Sequence, residues 1–185
     1  MIGILMFLAI IAALTFWVVS IYNGLVVARN AFRNAFAQID VQLQRRHDLV
    51  PSLVTAVQAY AGHESATLRA VSELRAQALA QTQPARLGEV EASLERELGR
   101  LIALKESYPD LKANQNFEQL QRDLVQVEEQ LQYARRFYNG AVRDYNDASQ
   151  RVPDVAIARA FGFAGAEFFQ AEAGSRDAVK VEMAP

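Results

Sequence analysis

The chain is 185 residues long, room for one domain plus an anchor, and 19 basic against 21 acidic residues give a formal net charge of −2. That balance supplies no concentrated basic face for nucleic acid, and the lack of cysteine removes disulfides, thiolate catalysis and cysteine-based metal sites. Five prolines and nine glycines in a chain rich in Ala, Leu, Glu, Gln and Arg predict a mostly helical protein.

No charged side chain precedes Arg29. The stretch "IGILMFLAIIAALTFWVVSIY" (2–22) is long enough to cross roughly 30 Å of hydrocarbon as a helix. Trp17 and Tyr22 stand in its C-terminal part, where an aromatic belt sits. A cleaved signal peptide would need a basic start, a shorter apolar run and a small-residue cleavage site, and none is present. A core helix is excluded because the segment is apolar on every face. Residues 1–28 therefore read as a retained anchor with a linker. Arg29, Arg33, Arg45 and Arg46 follow the span, so the positive-inside rule puts the C-terminal domain in the cytoplasm. The expected topology is a single pass.

Residues 29–150 read as a helical bundle. Leu25, Phe32, Phe36, Ile39, Leu43, Val50, Leu53, Val57 and Tyr60 form one stripe at steps of three, four and seven, the period of helices packed at shallow angles. Arg46 falls on this stripe between Leu43 and Val50 and needs a partner there, while Arg45 and Asp48 are spaced to pair on a neighbouring face. Pro51 kinks the helix or starts a new one, and Gly62-His63-Glu64 is a second place for a break, although the phase carries over. Leu68, Val71, Leu74 and Ala78 continue the pattern; "QTQPAR" (81–86) is a turn. A third helix runs from Leu87 to Leu104 and stops before Pro109. The fourth carries Phe117, Leu120, Leu124, Val127, Leu131, Ala134, Tyr138, Val142 and Tyr145, with Asn116 and Gln119 at cap-like spacing. The fold class is thus all-α: a transmembrane helix followed by an antiparallel four-helix-type bundle of long helices.

Residues 151–170 form a short Phe-rich helical segment in which Phe161, Phe163, Phe168 and Phe169 crowd nine positions. Such a segment either lies in the membrane interface or caps the bundle. Residues 171–185 read as a loose tail.

Chemistry is hard to place on this pattern. His63-Glu64 opens like a zincin motif but lacks the second histidine at i+4, and neither His47 nor His63 follows a Glu at i−3 as a di-metal bundle site requires. No G-x-S-x-G, phosphate loop or G-x-G-x-x-G occurs. Glu128 and Glu129 read as a solvated face. Tyr138-Asn139 and Tyr145-Asn146 repeat one heptad apart and form a polar layer that would meet Arg46 or Asp40, setting register across helices. Asp40, Arg46, Asp48, Tyr138, Asn139, Tyr145 and Asn146 are the interaction candidates, and no cofactor or metal is expected.

Three stretches carry a family resemblance: "YNGLVVARNAFRNAFAQIDVQLQRRHDLVPSLVTAVQAYAGHE" (22–64), "YPDLKANQNFEQLQRDL" (108–124) and "ARRFYNGAVRDYN" (134–146). Together they resemble the LemA family. The resemblance implies a bacterial protein with one N-terminal membrane helix, an antiparallel helical bundle and no catalytic activity or cofactor. A relative in magnetosome membranes points to membrane organisation. Two functions stay open. One is a non-enzymatic membrane scaffold or adaptor that binds lipid, copies of itself and an unknown protein partner. The other is an auxiliary subunit or enzyme using His63, Glu64 or the polar layer.

Overall fold

The computed structural model describes residues 1–169. These are helical almost throughout, with no strand among them. The elements are α1 (Ile2–Ala61), α2 (Ser65–Leu79), α3 (Pro84–Ala103), a 3₁₀ turn (Leu104–Glu106), the single turn α4 (Pro109–Lys112), α5 (Gln115–Gln150) and α6 (Asp154–Ala160). The expected all-α order, a long apolar first helix followed by further helices, is what the chain adopts. The tail assigned to 171–185, and Gln170 of the Phe-rich segment, lie outside the described residues.

The helix ends follow local chemistry. α1 runs unbroken through Pro51 and stops at Ala61, where the Glu64 amide donates to the Ala61 carbonyl at 3.0 Å. The break therefore falls at 62–64 and not at Pro51. Pro84 occupies the first turn of α3 after an extended Gln83, where its missing N–H costs nothing. α5 is capped by Asn114, whose Oδ1 accepts from the Phe117 amide at 3.1 Å. The cap is thus two residues before the Asn116 read from sequence, in line with the preference for Asn at this position.

The chain divides into two compact units. The first comprises Met1–Ile39 and Ala134–Glu167. Its apolar cluster is built from Leu25, Tyr145, Ala158 and Phe163, with Ile21, Tyr22, Phe32 and Ile157 packed against them. The second comprises Asp40–Tyr133 together with Phe168 and Phe169 among the described residues. Here Val50, Leu53, Val57 and Ala61 of α1 pack with Leu68 and Val71 of α2, Leu94, Leu98 and Leu101 of α3, Leu111, and Phe117 and Leu124 of α5. Burying one such leucine or valine is worth about 1.5–3 kcal/mol. The stripe on α1 ends on Ala61 and leaves Tyr60 exposed; the Tyr60 hydroxyl accepts from Asn114 Nδ2 at 3.1 Å.

In the first unit the second half of α5 is covered, not overhanging. Tyr138, Val142 and Tyr145 are all buried. Phe36 lies 5.5 Å from the Tyr138 ring and Phe32 lies 4.9 Å from the Tyr145 ring. α6 ends in a left-handed Gly162 (φ 70°). The Phe163 amide donates to Ala158 O at 2.9 Å and the Gly162 amide to Arg159 O at 3.4 Å. This is the Schellman pattern, which needs a residue tolerant of positive φ at that position and brings the residue after it back onto the helix. Phe163 accordingly packs in one cluster with Ala158.

Candidate functional site

The second unit encloses a cluster of charge. Arg46 on α1 is 2 % exposed and Glu91 on α3 is 0 % exposed. Arg46 Nη1 donates to Glu91 Oε2 at 3.1 Å, and Arg46 Nη2 donates to Glu128 on α5 and lies 3.9 Å from Glu95 Oε2. His47 Nε2 is 2.7 Å from the other Glu91 oxygen. A carboxylate only accepts, so an ionised Glu91 requires the proton on His47 Nε2. One guanidinium thus joins α1, α3 and α5, and Glu91 has both oxygens bonded. Both residues interrupt apolar stripes: Arg46 between Leu43 and Val50, Glu91 between Leu87 and Leu94. Their opposite signs make the two interruptions complementary, since a buried charge is tolerated only when paired.

Arg75 on α2 serves a neighbouring need. Pro51 has no N–H, so the carbonyl four residues earlier, that of His47, has no helical donor. Arg75 Nε donates to that carbonyl at 2.7 Å. The orphan acceptor inside an unbroken helix is satisfied from the next helix, which is why the proline does not end α1.

The sequence reading and the structure part at several residues. Arg46 lies within the bundle with the acidic partners Glu91 on α3 and Glu128 on the long helix α5. Glu128 belongs to the cluster and not to a solvated face. Asp48 is exposed and accepts from Gln44 Nε2 at 2.8 Å instead of pairing with Arg45. Asp40 is exposed. In the first unit, the Tyr138 and Tyr145 hydroxyls donate to the carbonyls of Glu167 (2.7 Å) and Ala164 (2.8 Å). Asn146 pairs with Ala166 in both directions, at 2.9 and 2.8 Å. Asn139 is half-buried on the same helix. The repeat is therefore a clasp for the backbone of 164–167. Burial, with the charge of Glu167 adding to it, raises the Tyr138 phenol above its ordinary range. Burial also raises Tyr145 against the opposing pull of Arg29 and Arg33. Glu91 was detectable in the sequence only as a carboxylate on a leucine stripe, and His47, excluded there as a di-metal ligand, only as the neighbour of Arg46.

Of the aromatic candidates, Phe163 and Phe169 are buried whereas Phe161 and Phe168 are exposed. Tyr22 packs edge-on against Phe161 at 5.0 Å and Phe163 at 5.5 Å, and Arg29 stacks over the Phe163 ring at 4.9 Å. Trp17 is exposed with the rest of the apolar start of α1. α1 is long and apolar enough to cross a membrane, and none of its apolar window is buried.

Elsewhere in the second unit, an open groove of 740 Å³ runs along Pro51, Thr55 and Tyr60 of α1 and Asn116, Gln119 and Leu120 of α5. None of its lining residues is acidic, basic or histidine. His63 is exposed in the turn before α2. Among the described residues no three metal-ligating side chains converge to hold an ion.

Comparison with known proteins fits this architecture. Two magnetosome proteins of Paramagnetospirillum magneticum (strain ATCC 700264 / AMB-1), MamQ 2 and MamQ 1, are each 34 % identical to it over 73 residues, 40 % of this chain and 27 % of theirs. The match thus spans about a quarter of the length of these curated relatives. The sequence model of the LemA family matches residues 35–183, most of the helical domain and the segment beyond it, and the chain belongs to the LemA family.

Proposed function

We propose that the protein is a non-enzymatic scaffold or adaptor anchored in the inner membrane by residues 2–22, organising membrane through contacts of its helical domain with further copies and with a protein partner. The observation that carries this reading is the way the buried charges are spent. Arg46 and His47 are both bonded to Glu91, all three are buried, and Arg46 also reaches Glu128, which suits holding three helices in register better than acting on a substrate. Apolar surface is left on the outside instead: the start of α1, and Val125, Tyr133 and Phe137 on α5. The names of the magnetosome relatives support a membrane role for this domain type, and the basic residues after the span favour a cytoplasmic domain.

Isolation of the tagged full chain from membranes in mild detergent, with mass measurement of the intact assembly, tests the reading. Further copies or a stoichiometric protein partner are expected. A lone chain that also turns over a substrate would favour the alternative of an auxiliary subunit or enzyme.

A further inference from the structure

The end of the span and the α5–α6 turn meet in the first unit, and their outer surface is open among the described residues. α6 packs inward through Ile157 and Ala158, onto a cluster that includes Ile21, Tyr22 and Leu25. Its other face is apolar and open. Val152 is 82 % exposed and Phe161 56 % exposed, and Pro153, Ala156 and Ala160 are exposed between them. Arg159 and Arg151 stand beside this face, Arg151 paired with Asp154 at 2.8 Å. The Phe161 ring lies 5.0 Å from Tyr22.

That contact fixes a depth. Residues 2–22 rise about 31 Å as a helix, close to the roughly 30 Å of a bilayer's hydrocarbon. Tyr22 then falls at the boundary between acyl chains and headgroups, where tyrosine is favoured. A side chain in ring contact with Tyr22 lies at the same level. We propose that Val152, Ala156, Ala160 and Phe161 form a second membrane contact, lying in the headgroup boundary beside the span, with Arg159 toward lipid phosphates. The occupant is the bilayer surface because the open face continues the exposed apolar surface of the span itself. A second copy of the chain would have no such continuity. A short apolar face with flanking arginines suits an anionic interface. Buried Phe163 and Phe169 take no part. Such a contact adds a second point of attachment, at the α5–α6 turn, beside the span. The inference rests on the reading of 2–22 as a span.

The test uses the full chain in vesicles of phosphatidylcholine and phosphatidylglycerol. Trp17 is the single native tryptophan. Trp17→Phe removes it, and Phe161→Trp, or Val152→Trp should that variant fail to fold, then reports on the contact. Lipids brominated near the headgroup should quench and blue-shift this reporter, more than lipids brominated deep in the chain. A control at Phe137→Trp, thirteen residues back from the end of α5 and about 20 Å away along it, should remain unquenched. In the unaltered chain Trp17 should be quenched by lipid. An unquenched reporter beside a quenched Trp17 would overturn the contact and leave the span standing. An unquenched Trp17 would overturn both. A blue shift that fades as protein is diluted into excess lipid would assign the face to a second copy and also overturn the proposal.

Discussion

Arg46 holds more of the second unit than any exposed arginine does, because removing it strands Glu91 without its cation in a fully buried place. Loss of one partner from such a pair costs about 3–5 kcal/mol. Arg46→Ala is therefore expected to lower thermal stability strongly. Arg45→Ala, on the exposed side of the same turn, should stay within about 0.5 kcal/mol of the parent. Thermal unfolding of both variants checks the contrast; equal effects would remove Arg46 from its structural role. The pairing of Arg75 with Pro51 gives a sharper case. Arg75→Met should cost about 1–3 kcal/mol by leaving the His47 carbonyl unsatisfied. In a Pro51→Ala background the restored amide serves that carbonyl, and the same change should cost much less. A double-mutant cycle measures the coupling, and additive effects would contradict it. The position of Arg46 on an apolar stripe was legible in the sequence. The identity of its partners was not, because register between helices far apart in the chain is set by packing and not by local spacing.

Among the elements, the long stripes of α1, α3 and α5 were readable because each repeats an apolar residue through many turns. The ends were less so. A proline normally marks a boundary, yet α1 passes Pro51 because a distant arginine supplies what the ring removes. The clasp around 164–167 was missed for a related reason: Tyr138, Tyr145 and Asn146 bond to backbone, which carries no side-chain signature. Their burial by Phe32, Phe36 and the 164–167 backbone also removes the overhang that the unequal lengths of α5 (36 residues) and α3 (20 residues) suggest. The turn that starts this segment depends on one residue. Gly162→Ala places a Cβ at positive φ, at a cost of about 1–2 kcal/mol, and should loosen the fold of Phe163 onto Ala158. Hydrogen exchange should then speed up at the Phe163 and Ala166 amides while the amides of α3 stay protected. Unchanged exchange at both would mean the Schellman turn does not hold the segment.

At the scale of the whole molecule, we propose that a helical domain with a buried ion-pair cluster works by assembling at a membrane. Tyr138, Val142 and Tyr145 are covered within one chain, so the proposed assembly would draw on the exposed apolar residues of α5 and on the span. Gly3, Ala9, Ala12 and Ala13 let membrane helices approach closely, and anchoring confines copies to two dimensions and raises their effective concentration. Light scattering of the full chain in detergent, with the micelle mass subtracted and protein concentration varied widely, tests this most directly. A mass of two or more chains that persists on dilution is expected; a single-chain mass at every concentration would contradict self-association.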